Sequence, residues 1–238
     1  MNKANFFWSG SPLQKRHIAA FNSFLQHDWD VTVWTYENEL NVSRGIKVRN
    51  ANELLDISRL GSFKYTNCSV NEVVFSDLFR LYVMKHTGGW WFDSDCFCLK
   101  NYSDFELLAY NRSFVTSWEG PEVNNAVLHF PEETLLNDFI AHIEATIQPE
   151  MPWAYIGPTA MTEYMKNANL SHCVLPSWTF YPIRWPDAYK GIKDEYFSYI
   201  RQMCKPSLVY HYYNSICQHH SSGNEYGGYV GHLIEKYS

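Results

Sequence analysis

Two aspartates one residue apart, Asp93 and Asp95, directly follow Gly88-Gly89-Trp90-Trp91-Phe92. In an extended segment their side chains point the same way, with Ser94, Cys96 and Cys98 toward the other side. Two carboxylates on one edge make a hard-oxygen site for Mn²⁺ or Mg²⁺, and an ion held there neutralises charge on a departing phosphate. The spacing alone says little. Ten aspartates give about 0.4 chance Asp-x-Asp matches, and Asp28-Trp29-Asp30 is a second one that reads as a solvated helix-to-strand link. What separates Asp93 and Asp95 is the apolar sequence ahead of them, since an unpaired buried carboxylate is costly.

The same test applies upstream. Val73 to His86 carries apolar residues on nearly every side of a helix, which predicts burial. Asp77 and Arg80 lie three apart on one face of it. On a solvated helix that spacing is a salt bridge of a few tenths of a kcal/mol; on a helix this apolar a working pair stands level with that reading. His211, inside Val209-Tyr210-His211-Tyr212-Tyr213, reads either as a packed core histidine or as a metal ligand.

The elements that must hold these groups follow from local pattern. Phe6-Phe7-Trp8 reads as a buried strand, Ser9-Gly10-Ser11-Pro12 as a turn, Ile18 to Leu25 as a helix and Val31 to Trp34 as a second strand. That order opens a parallel α/β sheet, whose ligands gather beyond the carboxyl ends of the strands, where Trp8 and Gly10 would lie. The Gly88-Gly89 pair ends the buried helix and Trp90-Trp91-Phe92 starts a strand. Leu135 to Ile147 and Thr159 to Lys166 read as further helices, and Ser207 to Tyr213 as a last strand before a polar, loop-like tail. Among Trp178, Phe180, Tyr181 and Trp185, core packing competes with an aromatic platform for a ligand.

Bulk properties bound the function. With 238 residues, 46% of them hydrophobic, the chain can bury one sizeable core, and no linker or repeat divides it. A net charge of −6 disfavours nucleic acid or anionic lipid as the main partner. The apolar runs are too short for a membrane span, which leaves peripheral membrane contact open. Six cysteines without a paired framework, and a start lacking the run of a signal peptide, predict a cytoplasmic setting.

The segment SDLFRLYVMKHTGGWWFDSDCFCLK resembles the "SD-x-x-R … GG-x-aromatic-x-D-x-D … K" signature of glycosyltransferase family 32. Looser elements extend the resemblance in order along the chain: Phe7-Trp8-Ser9-Gly10-Ser11-Pro12, Asp30 to Thr35, Asn124-Asn125-Ala126-Val127, Gly157-Pro158 and Tyr210 to Ser215. It implies a single-domain α/β nucleotide-diphospho-sugar transferase fold of GT-A type with a mostly parallel sheet. A donor-binding half would occupy about residues 1–100 and an acceptor half about 101–238.

The resemblance also implies a transferase for polysaccharide biosynthesis that retains anomeric configuration by front-face displacement. Its donor would be a nucleotide-sugar, a UDP-sugar ahead of a GDP-sugar, its acceptor a hydroxyl of a glycan or other molecule, and its cofactor Mn²⁺ or Mg²⁺. Trp8 would stack on the base, and Asp77 and Arg80 would hold sugar hydroxyls and the diphosphate. Asp93 would reach ribose or metal and Asp95 the metal, with Gly10, Ser76 and Asn125 as further donor contacts. Phe92 stands where the family carries Tyr or Leu and would pack on the nucleotide. The tryptophan that often follows the closing motif is Ile216-Cys217 here. We carry His211 as third protein ligand, at the head of a tail from Ser215 onward that would order on ligand binding. The rival class is a non-catalytic nucleotide- or sugar-binding protein of the same fold.

Overall fold

Alternate residues of the first strand face two different layers, and that alternation organises the molecule. The computed structural model describes residues 2–68, 70–221, 223 and 226–238. The chain runs through β1 (Lys3–Phe7), α1 (Lys15–Leu25), β2 (Asp30–Thr35), β3 (Lys47–Asn50), β4 (Lys64–Tyr65), α2 (Asn71–Thr87), β5 (Trp90–Phe92) and β6 (Cys96–Cys98). It continues through α3 (Tyr102–Ala109), β7 (Val115–Glu119), β8 (Glu122–His129), α4 (Glu133–Thr146), β9 (Glu150–Met151) and α5 (Ala160–Asn167). It ends with α6 (Phe197–Cys204), β10 (Val209–His211), α7 (Asn214–His220) and α8 (Gly228–Tyr237).

Six strands form the central sheet in the order β3-β2-β1-β5-β8-β7. β3, β2, β1 and β5 are parallel, while β8 is antiparallel to both neighbours because Gly120-Pro121 turns β7 directly back into it. Gly120 takes φ +64°, where a side chain would be strained. The fold is therefore α/β with a mixed, mostly parallel sheet, as expected. Ala4 and Phe6 of β1, Val31 and Val33 of β2, and Trp90 and Phe92 of β5 pack on Phe21, Phe24 and Phe105 of α1 and α3. Phe7, Trp34 and Trp91 pack on the other side, against α2 and α4.

The chain leaves β1 toward β2 and β3 on one side and returns through α2 to β5 on the other. The loops after β1 and β5 thus diverge and leave a crevice at their carboxyl ends. Helix α2 is buried on most of its circumference, as expected, and Gly88 at φ +64° stops it, with Lys85 and His86 in its last turn facing the negative end of the dipole. No helix among the described residues is long and apolar enough to cross a membrane.

Two expectations are corrected. Asp93 to Asp95 are not extended: the Cys96 N–H donates to the Asp93 carbonyl at 3.0 Å, closing a turn between β5 and β6. The tail is not a polar loop either. α7 begins at Asn214, and α8 buries Tyr229, Val230, Leu233 and Tyr237 against α1 and its neighbours, where Asn22 donates to the Tyr237 carbonyl at 2.8 Å. That apolar stripe is obscured in sequence by the Ser, Gly and Asn around it. Ser222, Asn224 and Glu225 of this tail lie outside the described residues.

Buried His129 stacks on Trp90 at 4.6 Å, and its Nδ1–H donates to the Gly89 carbonyl at 3.1 Å. Burial lowers its pKa to about 4, and His17, buried beside Arg16, is lowered equally. A histidine held neutral in the fold contributes stability above its unfolded pKa near 6.5, lost as pH falls toward 4. Each should cost about 2 kcal/mol between pH 7 and pH 5. His129→Gln is expected to remove about that much of the decline, read from urea midpoints at the two pH values; an unchanged slope would show that His129 titrates normally.

Candidate active site

The two charges on α2 are almost entirely withdrawn from water, with side-chain exposures of 3% for Arg80 and 8% for Asp77. Burial of a guanidinium is tolerable only when its N–H groups find acceptors. Arg80 Nε donates to the Ser76 carbonyl at 3.0 Å and Nη2 to Ser76 Oγ at 3.1 Å. Nη2 also pairs with Asp77 Oδ1 at 2.9 Å, while Nη1 donates to the Asn125 carbonyl at 2.6 Å and lies 3.3 Å from Asp93 Oδ1. The guanidinium also lies over the Trp91 ring, 5.1 Å from its centroid. Asp77 is satisfied in turn: Tyr65 donates its hydroxyl to Oδ2 at 2.6 Å, and Asn125 donates Nδ2–H to Oδ1 at 2.7 Å. Gly157 completes the enclosure, since a Cβ there would lie 2.6 Å from Asp77 Oδ2.

The second part of the site comes from the far end of the sequence. β10 pairs antiparallel with β6, setting His211 opposite Cys96. His211 Nε2 lies 3.0 Å from Asp95 Oδ1, and the Asn214 N–H at the start of α7 donates to Asp95 Oδ2 at 2.8 Å. His211 Nδ1 is buried with no hydrogen-bond partner among the described residues. Carboxylate, thiol and imidazole ligand atoms of Asp95, Cys96 and His211 all lie within 4.8 Å of one another. Cys96 is therefore on the same side as Asp95, against expectation, because the turn replaces the strict alternation of a strand.

The two aspartates are driven apart electrostatically. Burial raises the pKa of Asp93, Arg80 opposes this, and nearby Asp95 adds to the rise. Burial also pushes Asp95 upward, but the charge and hydrogen bond of His211 with the Asn214 N–H outweigh it, so its pKa is lowered. Burial favours the neutral ring of His211, yet Asp95 and then Asp93 raise its pKa overall. Burial and charged partners thus push two neighbouring carboxylates in opposite directions.

These groups open into a cleft of about 920 Å³ lined by Trp8, Ser76, Asp77, Arg80, Asp93, Asp95, Asn125 and His211, near the upper end of small-molecule sites. Trp8 packs on the His17 ring, centroids 4.2 Å apart. Two expected contacts are absent. Phe92 is wholly buried among Phe6, Phe24, Trp29 and Phe105, because β5 turns that face toward α1. Gly10 sits beside the cleft, its N–H donating to Glu37 at 3.0 Å, and is not in the wall. Arg80 also differs from the expectation: the partners just named engage its N–H groups, so it organises carboxylates rather than offering free donors.

Sequence reasoning passed over Tyr65, Glu119, Glu122 and Trp153, which also line the cleft. Tyr65 stands in an unpatterned polar stretch, and nothing local links it to Asp77. Glu119 and Glu122 flank Gly120-Pro121, a hairpin signal that could have brought them to one end of the sheet.

Residues 33–131 match the family described as "Capsular polysaccharide synthesis protein". No curated protein matches the sequence. Among solved structures, a galactosyltransferase LgtC complexed with donor and acceptor sugar analogs aligns at 11% identity and TM-score 0.49, over 99% of this chain and 96% of its own. Mouse xyloside xylosyltransferase 1 aligns at 12% identity and TM-score 0.47, over 87% of this chain and 96% of its own. The PaToxG glycosyltransferase aligns at 12% identity and TM-score 0.47, over 71% of this chain and 68% of its own. Below a TM-score of 0.5, none of these likenesses assigns a role to any residue.

Removing one partner of a buried charge network leaves the others without compensation. Arg80→Met should therefore destabilise the protein by about 3–5 kcal/mol. Lys47→Met, which breaks the exposed 2.7 Å pair with Asp30, should cost less than about 1 kcal/mol. Urea denaturation of both variants checks this; equal losses would demote the network to a surface-like pair.

Proposed function

We propose that this protein is a metal-dependent, retaining glycosyltransferase of family 32 type, moving a hexose from a UDP-sugar to a hydroxyl of a glycan acceptor. The observation that carries the reading is the meeting of Asp93, Asp95 and His211 with the Asp77–Arg80 network at the β1/β5 crevice. A crevice of that kind, at the carboxyl ends of diverging parallel strands, is where α/β proteins hold nucleotides. The capsular polysaccharide match over residues 33–131 supports a sugar-transfer role. We assign residues 1–100 mainly to the donor and 101–238 to the acceptor. Six unpaired cysteines suit a reducing, cytoplasmic compartment.

Asp93, Asp95 and His211 would hold Mn²⁺ or Mg²⁺. The ligand atoms that already converge are those of Asp95, Cys96 and His211; Asp95 is a hard oxygen ligand, an imidazole is acceptable to manganese, and Asp93, whose Oδ1 is held by Trp91 and Arg80, would add the second carboxylate. Cys96 stays a neutral thiol, its pKa raised by burial and by Asp95 and Asp93. When bound, the ion would supply charge neutralisation at the leaving diphosphate. Arg80 and the Trp91 indole N–H fix the rotamer of Asp93, and Arg80, Tyr65 and Asn125 fix that of Asp77, whose carboxylate would meet sugar hydroxyls only through lone pairs those partners leave. Trp8 would stack on the base. His211 Nε2 lies 3.0 Å from Asp95 Oδ1, and a metal ion held through that nitrogen would require it to be deprotonated.

A thermal-shift screen of nucleotide-sugars with Mn²⁺, followed by assays of donor hydrolysis, tests the reading and separates an enzyme from a binding protein of the same fold. Asp95→Asn should fold but lose at least about a hundredfold in turnover; near-normal turnover, or full activity in excess chelator, would reject the site. Arg80→Lys should lower kcat/KM by about tenfold or more, because an ammonium cannot span Ser76, Asp77, Asp93 and Asn125 together.

The pH dependence has a defined sign. Mn²⁺ requires a neutral His211, whose pKa is raised, so apparent Mn²⁺ affinity should fall as pH drops through that raised value, starting above the ordinary 6.5. His211→Gln should flatten the dependence. Calorimetric titration of Mn²⁺ from pH 8 to pH 6 reads this without turnover; pH-independent affinity would remove His211 from the ligand set.

A further inference from the structure

Part of the cleft wall is not used by the donor-side residues. It comprises Glu119 and Glu122 at the β7–β8 turn and two tryptophans from separate loops, Trp153 and Trp185. Both indoles are unusually open for their type, Trp153 at 61% and Trp185 at 52% exposure, and a large aromatic left in water at a cleft mouth marks a binding surface. Neither is loosely held at its base. Trp153 rests against Tyr65 at 5.5 Å, and the Trp185 backbone N–H donates to Glu119 Oε1 at 2.9 Å.

The carboxylates beside them are equally telling. Glu119 Oε2 accepts from Asn124 Nδ2 at 2.7 Å, and Glu122 Oε1 meets only a long 3.5 Å contact from the Thr159 hydroxyl. Neither forms an ion pair among the described residues. Arg184 lies against Gly120, which stands between Glu119 and Glu122 in sequence. Across the whole lining, Glu72, Asp77, Asp93, Asp95, Glu119 and Glu122 stand against Arg80 and Arg184, with His211 paired to Asp95. On the donor side Arg80 and the proposed ion offset that excess. Beside Glu119 and Glu122 the wall offers Arg184, which forms no ion pair with either among the described residues.

We infer that these wall residues form an acceptor subsite for uncharged sugar rings, held by Trp153 and Trp185 through their faces and by Glu119 and Glu122 through their oxygens. The inference rests on the transferase reading. A pyranose ring offers an apolar C–H face that packs on the negative face of an indole. Its hydroxyls donate to carboxylates in charge-assisted bonds that a neutral acceptor makes without penalty. A uronic acid or a phosphate-bearing acceptor would instead bring like charge against Glu119 and Glu122, which disfavours it relative to a neutral ring.

The test uses the whole protein saturated with Mn²⁺ and UDP, or GDP if only that raises its Tm, applied to an array of neutral glucose, galactose and mannose oligosaccharides alongside uronate-containing and phosphorylated ones. Binding should concentrate on neutral glycans. Trp185→Ala should weaken it by about tenfold, well beyond any change in nucleotide Kd. Glu122→Lys, a change at an exposed strand end, should raise affinity for uronate glycans by about tenfold. A preference for acidic glycans, unchanged binding in both variants, or no glycan binding by protein that still binds nucleotide would overturn the inference and leave the transferase reading standing. Failure to bind either nucleoside diphosphate with Mn²⁺ would overturn the transferase reading, and the inference with it.

Discussion

A guanidinium almost entirely withdrawn from water is the constraint to which the rest of this structure answers. Arg80 projects from a helix that is otherwise greasy on nearly all sides, and its charge is tolerated because several chain segments converge to meet it. Its own helix supplies Ser76 and Asp77, the antiparallel strand β8 supplies the Asn125 carbonyl, and the turn after β5 supplies Asp93. Desolvation would otherwise cost several kcal/mol per ion, so α2, β8 and the β5–β6 turn are held together around it. The position of Asp93 follows in part from satisfying that cation, whereas Asp95 is held by His211 and the Asn214 amide.

Much of this was readable before any coordinates. Periodicity exposed α2 as a buried helix, and the double glycine marked its end. The anomaly of Asp77 and Arg80 on an apolar surface singled out the pair that does organise the site. What sequence could not convey was direction. A strict alternation through Asp93-Ser94-Asp95 assumes a straight strand, whereas a turn intervenes and carries Cys96 to the side of Asp95 and His211. Phe92 failed for the related reason that the face of β5 it occupies is covered by α1, a matter of sheet layering rather than of residue type.

The C-terminal part was misread because local composition and tertiary role disagree there. Ser, Gly and Asn dominate the stretch before α8, yet Tyr229, Val230, Leu233 and Tyr237 form a one-sided stripe that has a surface to cover on α1. Tyr65 and Gly157 illustrate the opposite limit. Each matters only through Asp77, one by donating a hydroxyl and the other by lacking a Cβ. Such second-hand roles have no signature in a single chain, because the partner lies in another element.

The pairing of β6 with β10 places the site under a temporal constraint. Asp93, Asp95 and Arg80 are all translated in the first hundred or so residues, but His211 and the Asn214 amide that hold Asp95 arrive roughly a hundred residues later. At synthesis rates of about 5–20 residues per second, the nascent chain carries Asp95 without either partner for several seconds or longer. Arg80 finds Asp77 and Asp93 in that early stretch and the Asn125 carbonyl soon after, while Asp95 waits for β10 and α7. Closure of the long loop between these two short strands is therefore the step that completes the site.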